Sequence, residues 1–276
     1  MYLTHYNLKE QPFEMTSDPK FIWLGQKQKQ ALAGFTRTIF QNKGILLLSG
    51  GVGVGKSAFV SCLLKGLVNR AIVATITDPA LDVIDFLDIL AAEFKIEQPF
   101  VSHGDLLMYF HKFLHTANAE NTSVILIIEE AQHVSPDILN LLKDLANIES
   151  NGQKLITLVF VGQNEGHDIL KTKLETALKQ SMAVHYHLDP LTETETQLLI
   201  QHRLEVAGGK IALIDPEALK FIYGFSNGCP RLINSICDQA LLTGYSNGIK
   251  RIYKGIIKEC ATNLGLEMDM RRFRIK

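Results

Sequence analysis

Apolar positions along this chain follow two rhythms, and the rhythm changes once. Between residues 44 and 188, short unbroken apolar runs alternate with segments of helical period. Gly44-Ile-Leu-Leu-Leu-Ser49, Ala71 to Thr77, Val124 to Ile128, Ile156 to Val161 and Ala183 to Leu188 read as five buried strands. Strands covered on both faces lose the in–out alternation of a half-exposed sheet, so continuous apolar runs are their signature. Helical spacing covers Gln26 to Phe40, Lys56 to Val68, Ala80 to Phe94, Ser102 to Ala117, Pro136 to Ile148 and Asp168 to Lys179. After Pro190 only helices remain. Thr192-Glu-Thr-Glu195 has capping-box spacing and opens a helix to Val206. Asp215-Pro216 caps and starts a second, Cys229-Pro230-Arg231 starts a third, and a fourth runs from Tyr253 to Leu264. Strands alternating with helices, then helices alone, predict a parallel α/β domain carrying a helical appendage. The expected bounds are an arm over 1–24 packed on the core, the core over 25–189, the helical part over 190–264 and a basic tail over 265–276.

Composition narrows the class. The 276 residues include 28 basic and 29 acidic side chains, a net charge of −1, which argues against a dedicated polyanion binder. The longest apolar run, Val124 to Ile128, stops at two glutamates, so no stretch suits a bilayer span. No basic-then-apolar leader opens the sequence. Cys62, Cys229, Cys237 and Cys260 show no CxxC spacing and read as reduced core thiols of an intracellular protein.

Chemistry enters at Gly50-Gly51-Val52-Gly53-Val54-Gly55-Lys56-Ser57, which matches GxxxxGK followed by Ser or Thr in all eight positions, between a buried strand and a helix. Such a loop points successive N–H groups at phosphate oxygens, and the helix adds its positive amino-terminal end. Gly51 to Ala58 are therefore the expected nucleotide-binding residues. Lys56 would meet the β- and γ-phosphates and Ser57 would ligate Mg²⁺. The run Val124 to Ile128 delivers Glu129 and Glu130 to a strand end. There Glu129 would serve the metal and Glu130 would polarise the attacking water. Gln163, after the fourth strand, is placed to sense a γ-phosphate. Arg231, at a helix start in the appendage, is placed to reach over the nucleotide. His111 with His115, and His185 with His187, lack a third ligand at metal spacing and read as hydrogen-bonded or solvated side chains. Leu139, Leu141, Leu142 and Leu145 read as the core face of one helix.

These residues carry a resemblance. Met1-Tyr2-Leu3, Tyr6-Asn7-Leu8, Pro12-Phe13 and Asp18-Pro19-Lys20-Phe21 resemble the opening of AAA+ ATPases of the ExeA/GspA type. The likeness continues through the phosphate loop, Glu130-Ala131-Gln132, Leu158 to Gln163, Tyr186-His187-Leu188, His202-Arg203-Leu204, Ala207-Gly208-Gly209 and Gly228-Cys229-Pro230-Arg231-Leu232-Ile233-Asn234. The resemblance implies a P-loop NTPase (AAA+) α/β core with a five-stranded parallel sheet, a C-terminal α-helical lid, ATP/ADP and Mg²⁺ as cofactors, and a homo-oligomer in the ATP state. It makes Gln163 a sensor 1 and Arg231 a sensor 2. It also implies partners among envelope secretion or pilus assembly proteins. Larger members add a membrane helix and a peptidoglycan-binding domain, and this sequence is similar to the short forms without them. The expected location is cytoplasmic, peripheral at the inner membrane, with membrane contact only through a partner or the basic tail. Transposition regulators of the TniB/MuB kind share the core, so a DNA-bound ATP form is the alternative. A nucleotide-binding module without turnover is the third.

Two departures matter. Glu129 stands where the family usually has Asp. The stretch Leu178-Lys179-Gln180-Ser181-Met182 lacks the arginines the family tends to show, and no arginine occurs between Arg70 and Arg203. An arginine finger is worth on the order of 10³–10⁵ in rate, and Lys does not reproduce its planar fork. The expectation is ATP binding with weak intrinsic hydrolysis, unless Lys179 or a partner's arginine substitutes.

Overall fold

The five apolar runs become strands β1 (Ile45–Gly50), β2 (Ala71–Ile76), β3 (Ser123–Ile128), β4 (Ile156–Gln163) and β5 (Met182–Leu188). The computed structural model describes residues 2–15, 18–41, 44–96, 102–163 and 182–268. Among these, the strands form one parallel sheet in the order β2-β3-β4-β1-β5. Helices in chain order are α1 (Tyr2–Tyr6), α2 (Gln26–Phe40), α3 (Lys56–Leu67), α4 (Val83–Glu93) and α5 (His103–Ala119). They continue as α6 (Pro136–Ala146), α7 (Glu193–Val206), α8 (Pro216–Ser226), α9 (Pro230–Ser246) and α10 (Lys254–Asn263). The helix expected over Asp168 to Lys179, the Lys179 run and residues 269–276 of the basic tail lie outside the described residues.

The chain divides into two compact units. One comprises Lys29–Val52 and Val60–Leu188; the other comprises Met1–Gln28, Gly53–Phe59 and Asp189–Lys276. In the sheet unit, Ile45, Leu47, Leu126, Ile128, Leu158 and Phe160 join Phe86 and Leu90 of α4, Phe110 of α5 and Ile138 and Leu142 of α6 in one core. The alternate set Leu46, Leu48, Ile125, Ile127, Val159 and Val161 is also buried and points to the opposite face. Both faces are therefore covered, as the unbroken apolar runs require. Asp82 caps α4 by accepting from the N–H groups of Ile84 and Asp85, each at 2.9 Å. Leu139, Leu141, Leu142 and Leu145 are buried as the core face of α6. A two-residue antiparallel pair, Glu149–Ser150 with Gln153–Lys154, turns at Asn151-Gly152, and both turn residues have positive φ.

In the helical unit, α7 to α10 bury Leu199, Ile200, Leu204, Ile222, Ile233, Ile236, Cys237 and Ile257 together. The amino-terminal arm was expected on the nucleotide-binding core. Its Tyr2, Tyr6, Leu8, Phe13 and Phe21 instead belong to this second core. Polar hooks explain the placement. The buried Arg203 donates from one guanidinium nitrogen to Pro12 O and Glu14 O, both at 3.1 Å, and Lys9 N donates to Ala207 O at 2.8 Å.

Thr192 and Glu195 close the capping box expected at α7. Asp215 sits at the N-cap of α8 without a side-chain capping bond, contrary to expectation. Its carboxylate pairs with Arg251 Nε at 2.6 Å instead. The four cysteines are free thiols, but Cys62 and Cys229 are only half-buried, so they are not the core thiols expected.

Candidate functional site

The phosphate loop leaves β1 at Gly50 and ends where α3 begins at Lys56. Gly53 has φ +74°, and a β-carbon there would come within 2.8 Å of Arg231 Cβ and 2.9 Å of Cys229 Sγ. A left-handed backbone and that close approach both demand glycine at this point. Arg231 N donates to Gly53 O at 3.2 Å, so the loop's middle is tied to the first turn of α9. The Arg231 side chain is exposed. The curled loop followed at once by the amino terminus of a 12-residue helix suits phosphate oxygens, since backbone N–H groups and the helix's positive end gather there. Lys56 adds a full charge and Ser57 a hydroxyl of the kind that ligates Mg²⁺. The donor set fits a magnesium nucleotide.

At the carboxyl ends of the sheet's central strands, register brings the other expected residues together. Gly50 pairs with Gln163 across β1 and β4, and Ile128 pairs with Phe160 across β3 and β4. Glu129 follows β3, its N–H donating to Ile76 O at 2.8 Å. Glu130 then adopts a left-handed backbone, φ 46° and ψ 41°, which costs a non-glycine residue about 1–2 kcal/mol. That kink turns the carboxylate toward β4. Glu130 Oε2 accepts from Gln163 Nε2 at 2.8 Å and also from Gln132 Nε2, while Gln132 Oε1 accepts from Gln163 N at 3.1 Å. The base candidate and the sensor candidate are thus in direct contact, and Gln132 joins them. No role was expected for Gln132. The only signal was a carboxamide two residues after the acidic pair, and sequence spacing does not show that the chain kinks between them.

The expected residues fall in both units. Glu129, Glu130 and Gln163 lie in the sheet unit together with Gly51 and Val52. Gly53, Val54, Gly55, Lys56, Ser57, Ala58 and Arg231 lie in the helical unit. The set-aside histidines of β5 share one partner, with His185 Nε2 at 2.9 Å and His187 Nδ1 at 3.0 Å from Ser49 Oγ. His111 and His115 stack with ring centroids 4.4 Å apart on α5.

Sheet order, loop and acidic strand end together define an α/β P-loop protein of the AAA+ class, and known proteins agree. The AAA domain family matches residues 37–170. Solved structures with this fold include Cdc6p from Pyrobaculum aerophilum, with TM-score 0.69 and 18% identity over 91% of this chain and 70% of that one. They also include the RuvB Holliday junction branch migration motor of Thermotoga maritima, with TM-score 0.63 and 17% identity over 92% of this chain and 74% of that one. Within the class, the chain is similar to proteins of the GspA type. It is 34% identical over 265 residues, 95% of its length, to General secretion pathway protein A of Aeromonas hydrophila. It spans about half of that relative, 48%. Among the described residues no helix is long and apolar enough to cross a membrane.

Proposed function

We propose that this chain is a nucleotide switch that binds Mg·ATP through Gly51 to Ala58 and hydrolyses it slowly. In its ATP form it assembles into homo-oligomers that organise a membrane-associated secretion or pilus assembly complex. The observation that carries the reading is a complete phosphate loop in a chain 34% identical to General secretion pathway protein A over 95% of its length.

The bound nucleotide supplies the phosphoanhydride to be cleaved, and this chain's groups do the rest. Lys56 would neutralise charge on the β- and γ-phosphates, and Ser57 and Glu129 are the residues that would hold a magnesium ion, which would supply further charge neutralisation there. Glu130 orients the attacking water, takes its proton and returns it to the released phosphate. Gln163 and Arg231 register the γ-phosphate, and its loss on hydrolysis withdraws their contacts, which resets the switch. Slow turnover follows from the arginine-free stretch between Arg70 and Arg203. A full rate would need Lys179, or an arginine supplied by a partner, at the neighbouring site. The location that suits this reading is cytoplasmic, at the inner membrane surface, with contact made by a partner or by the basic tail over 265–276.

The test is Mg·ATP turnover over a protein concentration series, with light scattering on the same samples. Expected are a low rate per subunit that rises with concentration, ATP-dependent growth of the scattering particle, and loss of both in Lys56→Ala. Glu130→Gln should keep binding and lose on the order of 10²–10⁴ in rate. Unchanged turnover in Lys56→Ala, or no nucleotide binding by the intact protein, sinks the reading.

A further inference from the structure

Glu130, Gln132 and Gln163 form a closed ring of hydrogen bonds inside the sheet unit. The orientation of the Gln132 carboxamide is set by its neighbours. The N–H of Gln163 needs an acceptor and the Glu130 carboxylate needs a donor, so Oε1 must face the first and Nε2 the second. Both side-chain N–H bonds land on the same carboxylate oxygen, Oε2. Among the described residues no hydrogen bond falls on Oε1. One oxygen is thus anchored and the other is left to meet a water. The backbone kink at Glu130 and the short turn over Ala131–His133 that follows it bring Gln132 back alongside the carboxylate two positions earlier. A left-handed residue at this spot is backbone strain where the chain needs a side chain aimed.

We propose that Gln132 is a positioning residue for the hydrolytic base: its carboxamide pins Glu130 Oε2 against the end of β4, so that Oε1 is the oxygen that takes the proton from water. The inference rests on the reading of Glu130 as that base. It adds a residue with no assigned role and splits the two carboxylate oxygens by function. It also gives Gln163 a second duty. Its main-chain N–H holds the Gln132 carboxamide and its side chain shares Oε2, so movement of the Gln163 side chain changes how firmly the base is held. Of the three, Gln132 alone contacts both the carboxylate and the main chain of the neighbouring strand.

Two substitutions separate aiming from scaffolding. Gln132→Met keeps the side chain's length and loses both bonds. Gln132→Glu keeps an acceptor for Gln163 N–H but puts a carboxylate oxygen where the donor to Glu130 stood. If Gln132 aims the base, both variants lose kcat, on the order of 10²-fold for a misplaced catalytic group, with Kd for a fluorescent ATP analogue and Tm unchanged. If it only braces β4, Gln132→Glu turns over at the parental rate while Gln132→Met falls, and the proposal is overturned. A loss of kcat matched by a fall in nucleotide affinity or Tm overturns it too. Should the parental protein and Glu130→Gln turn over equally, the base itself is misassigned. That result brings down both readings and is distinguishable from the failure of Gln132 alone.

Discussion

The two units hold themselves together by different means. The sheet unit is mainly an apolar laminate, with Thr38, Ser49 and Thr157 as its buried polar side chains, and its candidate site residues Glu129, Glu130 and Gln163 collect at the carboxyl ends of its strands. The helical unit carries polar groups through its interior. Arg203, Thr196, Ser226 and Asn234 are buried there. Tyr2 donates to Asp238 Oδ1 at 3.1 Å and Tyr6 to Ile249 O at 3.0 Å. A laminate is specified by hydrophobic pattern and tolerates conservative repacking. A core joined by long-range hydrogen bonds fails when one partner goes, because the other is left buried and unsatisfied. The helical unit should therefore be the one that single polar or backbone changes can undo.

The sharpest way to break that contrast is Gly228→Ala. Gly228 has φ +75°, and a β-carbon there would lie 1.9 Å from Leu191 O. Its own carbonyl accepts from Leu191 N at 2.9 Å, so the two backbones cannot part without losing that bond. Left-handed strain and overpacking together should cost the helical unit on the order of 3–5 kcal/mol. Trp23, the sole tryptophan, packs against this core, so its fluorescence in a denaturant titration reports the loss. Amide exchange should keep its protection in β1 to β4 at denaturant levels where α7 to α10 have opened. Simultaneous loss in both units would erase the distinction.

Arg203→Leu is the next largest. Burial lowers the pKa of the guanidinium, so removing it relieves a desolvation cost. It also abandons the carbonyls of Pro12 and Glu14, and the net loss should be about 2 kcal/mol. Limited proteolysis should then cut within residues 9–15 while the α7 to α10 fragments stay intact. An arm as resistant as in the parent would mean the apolar contacts of Phe13 and Phe21 suffice.

Alkaline pH gives a third test. Burial pushes the Tyr6 hydroxyl up to about 12, and burial with the nearby Asp238 carboxylate raises Tyr2 as well. An unfolded tyrosine ionises near 10. Below that pH both states hold the proton and the contribution is complete. Above it the unfolded state loses the proton first, so stability falls as pH climbs from about 10 through 12. Trp23 fluorescence melts should show the helical unit weakening over that window, and Tyr6→Phe should flatten the slope. An unchanged slope would mean Tyr6 is more open to water than its neighbours allow.

Much of the sheet unit was legible because its strands are unbroken apolar runs, and β1 to β4 begin and end within two residues of expectation. The phosphate loop was legible because its chemistry requires adjacent residues. What escaped depends on contacts between distant positions. The arm's aromatics looked the same whichever core they joined, and long-range bonds such as those of Arg203 to Pro12 and Glu14 and of Lys9 to Ala207 decide the matter. Gln132 escaped because its role arises from the positive φ at Glu130, which no residue type announces. The Asn151-Gly152 turn carried a readable hairpin signal, but its strands are two residues each and have no periodicity to support it.

The smallest effect separates two helix starts that look equivalent in sequence. Thr192 and Asp215 are both strong N-cap types. Thr192 Oγ1 accepts from Glu195 N at 3.2 Å, and Glu195 Oε2 accepts from Thr192 N at 3.0 Å. Asp215 spends its carboxylate on Arg251. Thr192→Ala should cost about 1 kcal/mol, the ordinary worth of a cap. Asp215→Ala should cost less, since an exposed ion pair is worth about 0–1 kcal/mol, and its effect should shrink in salt while that of Thr192→Ala does not. Equal, salt-independent losses would mean that Asp215 caps α8 in solution, which would leave Arg251 without its partner.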